Sequence, residues 1–129
     1  MTITLAFHSV WDQSLSALQK EHYEQLLADF TLIDESVSAF PILVKRKEKG
    51  GIVATVFICN GFDTPLHIQQ IFVNVSNGNL AIVASHLFTP TIVIPVRAAM
   101  PWSFIFPPHT VQSNVTQNEQ WKVQLILTN

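Results

Sequence analysis

Large aromatic residues alternate with smaller ones in the stretch 101–107, which reads Pro-Trp-Ser-Phe-Ile-Phe-Pro. The two-residue period of a β-strand places Trp102, Phe104 and Phe106 on one face. Because three aromatics on one face need a second apolar layer, this pattern predicts packed layers with these side chains in the core. Proline has no N–H to give to a β-ladder, so we expect the two flanking prolines to end this strand on both sides.

The N-terminal segment has a helical period instead. Ser16 and Gln19 form a capping-box pattern, which predicts a helix that begins after Ser16 and ends near Asp29. Its apolar stripe contains Leu15, Leu18, His22 and Leu26, widened by Tyr23, Leu27 and Phe30. We expect this helix to dock on a β core, and a partner-binding helix is the alternative. The alternating residues 1–10 predict a short extended arm.

After the helix the period becomes two, and turn signals separate the apolar runs. Residues 42–47 and 52–59 predict a hairpin closed near Gly50-Gly51, a pair that tolerates positive φ. The tip of this hairpin carries four of the seven basic residues of the chain: Lys45, Arg46, Lys47 and Lys49. A charged tip is commonly no more than a solvated turn, and the alternative is a binding site for an acidic partner.

Residues 66–75 and 80–88 predict a second hairpin across Asn77-Gly78. A two-residue loop would pair Val73 with Ile82 and Ile71 with Ala84. Both faces of this hairpin are largely apolar, whereas a two-layer structure buries only one. The helix or another chain would cover the second face, so we predict a candidate partner surface there, formed by Leu66, Ile68, Phe72, Val83 and Leu87.

The remaining pattern completes a mostly β chain. Residues 91–95 predict a short strand, residues 97–100 a connector, and the final strand alternates inward from Trp121 through Val123, Leu125 and Leu127. About seven strands after one helix favour an immunoglobulin-like antiparallel β-sandwich. We predict one domain over residues 1–129, with an arm and helix in 1–30, a sandwich in 31–129, and Trp102, Phe104, Phe106 and Trp121 as core residues.

Composition adds a reason to expect a partner. Hydrophobic residues make up 48% of the 129 residues, while charged residues make up only 12%, against about 25% in typical globular chains. Few charges cover the surface, which favours a protein partner or a homodimer, and a neutral polar surface is the other interpretation. The net charge of −2 does not predict a nucleic-acid partner.

The sequence also bears on the cellular location of the protein and on its disulfide bonding. The single cysteine excludes an internal disulfide. The sequence shows no signal peptide and no transmembrane segment, so we expect a cytoplasmic protein, with a peripheral position at the membrane as an alternative.

The sequence predicts neither catalytic residues nor a cofactor. Cys59 is out of register with the alternating apolar residues before it, so we expect a quiet buried thiol that faces the second layer. The hairpin register predicted above makes His67 and His86 diagonal neighbours, but two histidines without a carboxylate or thiol are a weak metal site. We therefore predict a protein without a metal site that is not an enzyme.

Five short motifs together resemble the SLAP domain of Firmicutes, found in the accessory Sec system S-layer assembly protein and in related small proteins. The resemblance runs from about Trp11 to Leu127. Its marks are Trp11 with Leu15-Ser16, the strand end 56–60 (Val-Phe-Ile-Cys-Asn), Ile94-Pro95, the aromatic strand 101–106, and Trp121. The resemblance implies a non-enzymatic module beside a secretion pathway. Its partner would be the secretion machinery or an exported surface protein.

Overall fold

A computed structural model of the protein describes residues 3–28, 30–77, 81–112 and 121–127. These residues contain two α-helices, α1 (Ser9–Ser14) and α2 (Ala17–Leu27), and one 3₁₀ turn (Pro108–Thr110). They also contain nine β-strands: β1 (Thr4–Leu5), β2 (Val37–Arg46), β3 (Ile52–Asn60), β4 (Leu66–Ile68), β5 (Ile71–Ser76), β6 (Ile82–Phe88), β7 (Ile92–Ile94), β8 (Ala98–Phe106) and β9 (Lys122–Leu127).

The chain is mostly β, and its described strands form three sheets. Four strands pair in the order β1-β8-β3-β2, three in the order β6-β5-β9, and β4 pairs with β7. All pairs are antiparallel except β1 with β8. One main hydrophobic core collects buried residues from all three sheets. The mostly β prediction is thus confirmed, whereas the immunoglobulin-like sandwich of about seven strands is not.

The aromatic strand lies in the middle of the four-stranded sheet, in β8. Trp102, Phe104 and Phe106 stand opposite Val56, Ala54 and Ile52 of β3, on the face that lines the main core. Phe104 and Phe106 are buried, and so is Trp121 just before β9, whereas Trp102 is half-buried. The two-residue period of the sequence therefore placed these side chains on the correct face.

The prediction that Pro101 ends this strand is wrong, because β8 continues through it to Ala98. The carbonyl oxygen of Ala99 accepts a hydrogen bond from Ala6 N on the side of β8 away from β3. Residues two apart in a strand direct their backbone N–H and C=O groups to the same side, so the nitrogen of Pro101 faces the same side as the carbonyl of Ala99. β1 has ended there, at Leu5 opposite Ala99. The missing N–H of the proline therefore interrupts no ladder in the described sheet.

Helix α2 begins with the predicted capping box: Gln19 N donates to Ser16 Oγ, and Ser16 N donates to Gln19 Oε1. The helix ends at Leu27, and the predicted end near Asp29 lies outside the described residues. The predicted stripe is wrong in part, because Leu18 is 76% exposed and His22 is also exposed. The residues that pack are those predicted to widen the stripe: Tyr23, Leu27 and Phe30, joined by Leu26.

Helix α2 covers the outer face of the four-stranded sheet, the face turned away from the main core. A second apolar cluster lies between them, in which Leu27 and Phe30 pack with Phe57 and Cys59 of β3. The ring of Phe30 also stacks on Phe40 of β2, with 4.4 Å between the ring centroids. The predicted arm is confirmed only in β1, because residues 9–14 form the additional helix α1.

The hairpin β2–β3 is confirmed, whereas the second hairpin differs from its prediction. The run 66–75 is divided between β4 and β5, which belong to different sheets. β5 and β6 pair Val73 with His86 and Val75 with Ala84, so the register is shifted by four residues from the predicted pairing of Val73 with Ile82. β5 ends at Ser76 and β6 begins at Ile82, and the predicted Asn77-Gly78 turn lies partly outside the described residues.

Asn60 is fully buried at the end of β3 and holds the following loop in place. Its Nδ2 lies 2.9, 3.1 and 3.1 Å from the carbonyl oxygens of Thr64, Ile94 and Pro95, which share its two hydrogens. Its Oδ1 accepts from Phe62 N at 2.9 Å. One amide thus ties β3, the loop 61–65 and the end of β7 together. Two of the sequence marks, the strand end 56–60 and Ile94-Pro95, meet at this point.

Arg97 also stabilises the loop 61–65, through contacts on its exposed side. Its Nη1 donates to the carbonyl oxygen of Gly61 at 2.9 Å, and its guanidinium forms ion pairs with Asp34 and Asp63. The hydrogen bond with Asp34 raises the pKa of Arg97. Gly61 packs so closely that a Cβ on it would clash with the carbonyl oxygen of Ile33. Only glycine fits there without displacing backbone.

Candidate functional site

Cys59 lies beneath α2, on the outer face of the four-stranded sheet, where the sequence placed it. Its side chain is fully buried, and burial raises the pKa of the thiol to about 12, although the neighbouring Ser38 hydroxyl acts in the opposite direction. The nucleophilic form of cysteine is the thiolate. At neutral pH this thiol is protonated and enclosed, so it does not offer a nucleophile to a substrate.

The histidines predicted to be diagonal neighbours lie in different sheets. His67 belongs to β4, opposite Val93, and His86 belongs to β6, opposite Val73. The physical reason is that the run 66–75 is divided between β4 and β5 in different sheets, whereas the prediction treated it as one strand. The ring of His86 instead contacts that of Phe88, 4.8 Å between centroids. Among the described residues, no three His, Cys, Asp or Glu side chains are grouped as metal ligands.

The predicted partner surface is divided because Ile68 belongs to β4 and not to β5, and because an irregularity opposite Val75 and Ser76 leaves Val83 as an extra residue of β6. Ile68 and Val83 are buried in the main core, so they cannot contact a partner. Leu66 and Phe72 are half-buried, and Leu87 is 44% exposed. Only Phe72 and Leu87 face outward together, because they stand opposite each other on β5 and β6.

These two residues belong to a row of apolar side chains across the three-stranded sheet. Phe72 of β5 lies between Leu87 of β6 and Ile126 of β9, and we call these three residues the apolar row. Ile126 is 41% exposed, and it is the residue that interrupts the polar outer positions of the last strand. The next row is polar, with Ser85 Oγ 2.7 Å from Asn74 Oδ1. The apolar row is therefore an isolated apolar strip on a face that α2 does not cover.

A second exposed surface lies at the end of the β2–β3 hairpin. Here an open groove of about 870 Å³ runs between the turn 47–51 and the end of β8. Its basic residues are Lys45, Arg46, Lys47 and Lys49, and Glu48 is the one acidic residue among those that line it. We call this surface the basic groove. It is strongly positive in a chain whose net charge is −2.

The floor of the basic groove is the part of the outer sheet face beyond helix α2. Val53 of β3 stands between Lys45 of β2 and Ile105 of β8, and Leu43 follows two residues away from Lys45 on the same face. Leu43 is 57% exposed and Ile105 is 56% exposed. The sequence pointed to the basic residues of this groove. It did not point to the apolar floor, because the length of sheet left bare by a docked helix cannot be read from periodicity.

Within the described chain, neither helix combines the length and the apolar character needed to cross a membrane. In a comparison with known families, a family model described as the SLAP domain matches residues 5–127. Neither a curated protein nor a solved structure matches the chain. The match extends from β1 to the last residue of β9, so it includes the apolar row, the basic groove and the loop held by Asn60.

Proposed function

The chain belongs to the SLAP domain family, and we propose that it is a non-enzymatic interaction module that assists the export or assembly of cell-surface proteins. The proposed partner is an exported surface protein, bound before it folds, in the cytoplasm or beside the membrane. Family membership supports an accessory type of module. The resemblance noted in the sequence is the reason for choosing secretion.

The observation that carries this proposal is the apolar row. Leu87 and Ile126 expose more than two fifths of their surface on either side of Phe72. An export substrate that has not folded exposes apolar segments, which would bury their side chains against such a strip. In a chain with 12% charged residues, few charged groups would lose hydration when an apolar partner binds.

Affinity capture of the tagged protein from its host, with mild cross-linking and mass spectrometry, tests the proposal. We expect the wild type to recover a surface-layer precursor and the variant Leu87→Asp/Ile126→Asp to recover far less. The matched control is Leu18→Asp/Val93→Asp, which changes two other exposed apolar residues and should recover the precursor as the wild type does. Equal recovery by both double variants would show that the apolar row is not the binding surface.

The same apolar row favours a second candidate, a self-associating structural domain in which two copies bury the row in a homodimer. Light scattering at high protein concentration separates the two candidates. A wild-type dimer that becomes a monomer on Leu87→Asp/Ile126→Asp substitution would favour self-association. A wild-type monomer would exclude it.

A further inference from the structure

The outer face of the four-stranded sheet is only partly covered. Helix α2 has eleven residues, about 16 Å at 1.5 Å per residue, whereas β2 has ten residues and extends over about 33 Å. The helix therefore packs on one end of this face, over Phe57 and Cys59. The other end holds Leu43, Val53 and Ile105, which are left as the floor of the basic groove.

From this arrangement we infer that the basic groove binds an extended acidic peptide segment that also carries apolar side chains. The apolar side chains of the segment would pack on Leu43 and Ile105, which are both more than half exposed. Its carboxylates would pair with Lys45, Lys47 and Lys49 at the rim. The site goes beyond the proposed function, because it assigns a ligand chemistry to a second surface that is separate from the apolar row.

The lining of the basic groove favours a peptide over two other anionic partners. Proteins that bind single-stranded nucleic acid stack bases on exposed aromatic rings, and surfaces that enter a lipid interface commonly carry Trp or Tyr. Phe106 is the one aromatic among the residues that line the groove, and it is fully buried. A volume of about 870 Å³ falls within the usual range of ligand sites, and the concave shape suits a chain segment better than a flat bilayer.

Fluorescence anisotropy with defined peptides tests this inference. The probe is a fluorescein-labelled peptide of about ten residues that alternates glutamate and leucine, and the comparison peptides replace glutamate by lysine or leucine by serine. We expect the wild type to bind only the glutamate–leucine peptide. Binding should weaken as sodium chloride rises from 50 to 500 mM, because salt screens the exposed charge pairs.

Two groove variants and one control locate the site. Lys45→Glu/Lys49→Glu should raise Kd for the peptide about tenfold or more, because two favourable pairs become repulsive. Leu43→Ser/Ile105→Ser should weaken binding without changing its salt dependence. The control Lys20→Glu/Lys122→Glu makes the same change of charge outside the groove and should leave Kd within about twofold. Unfolding curves of each variant ensure that only folded protein is compared.

Three results would overturn the inference. The first is no binding of the glutamate–leucine peptide by the wild type. The second is equal weakening by the groove variant and the lysine control. The third is binding to vesicles of phosphatidylglycerol and phosphatidylcholine, abolished by Lys45→Glu/Lys49→Glu, in the absence of peptide binding. The proposed function rests on the apolar row, so it requires the Lys45→Glu/Lys49→Glu variant to capture as much precursor as wild type. This measurement separates a failure of the peptide inference from a failure of the proposed function.

Discussion

Replacement of Asn60 by alanine should destabilise the protein more than its small change in volume suggests. The side chain is fully buried, its two N–H hydrogens are shared among three carbonyl oxygens, and its Oδ1 accepts from Phe62 N. Each net hydrogen bond contributes about 1 kcal/mol, and a buried group left without a partner costs about 1–3 kcal/mol. A water in the vacated space would restore part of this loss, so we expect Asn60→Ala to lower the free energy of unfolding by about 3 kcal/mol.

Urea unfolding followed by tryptophan fluorescence measures this change. The control is Asn74→Ala, which removes one side-chain hydrogen bond to Ser85 on the outer face and should cost less than about 1 kcal/mol. Asn60→Asp gives a second, pH-dependent signature, because its carboxylate would face the carbonyl oxygens of Thr64, Ile94 and Pro95. That carboxyl should have a raised pKa in the folded state, so the variant should be more stable relative to wild type in acid than at neutral pH. A loss below about 1 kcal/mol for Asn60→Ala would refute the role assigned to Asn60.

Three further predictions concern the aromatic core, the close contact of Gly61, and the Cys59 thiol. Phe104→Ala should cost about 3–5 kcal/mol in urea unfolding, and Trp102→Ala less, because Phe104 is buried and Trp102 only half-buried; the reverse order would contradict the assigned core. Gly61→Ala should lower the melting temperature by more than about 5 °C, since its Cβ would meet the Ile33 carbonyl; an unchanged melting temperature would show that the backbone yields easily. Burial raises the pKa of the Cys59 thiol to about 12, so the folded state keeps this proton at pH values where the unfolded chain loses it. The contribution of the thiol to stability is complete at pH values below its pKa in the unfolded chain. This contribution falls as pH rises above that value, so wild type should lose about 1.5 kcal/mol more than Cys59→Ala between pH 8 and pH 10, and equal losses would show an accessible thiolate.

Local patterns in the sequence were sufficient where a single element determined the outcome. The Ser16–Gln19 capping box is formed as predicted, because its two hydrogen bonds need only the first turn of a helix. The last strand shows the predicted alternation, with Trp121 buried and Ile126 exposed. Cys59 faces the helix because strand periodicity reverses the side on every residue.

The predictions failed where the outcome depends on distant neighbours. Whether a proline can lie within a strand depends on which side of that strand is paired, and for Pro101 that is decided by β1, far away in sequence. The register of β5 and β6 depends on loop length. The change of sheet between Ile68 and Ile71 is marked in the sequence by the polar pair Gln69-Gln70, which does not by itself distinguish a new sheet from a longer strand. The missed change of sheet wrongly included Ile68 in the predicted partner surface, and the missed irregularity of β6 wrongly included Val83.

The candidate surfaces also depend partly on local sequence and partly on distant neighbours. The four basic residues at the hairpin tip and the apolar face that includes Phe72 and Leu87 were visible in the sequence. The juxtaposition of Lys45 with Ile105 was not, because it requires the order β2-β3-β8 within one sheet. The apolar row likewise depends on β5 lying between β6 and β9, which brings Ile126 beside Phe72.

Export of the surface-layer protein in living cells tests the proposed function most directly. The measurement is the ratio of exported protein to intracellular precursor in a strain that lacks this chain, complemented by wild type, by Leu87→Asp/Ile126→Asp or by Leu18→Asp/Val93→Asp. We predict that precursor accumulates in the deletion strain, and that export is restored by wild type and by the control but not by the apolar-row variant. Unchanged export in the deletion strain would contradict a role in secretion.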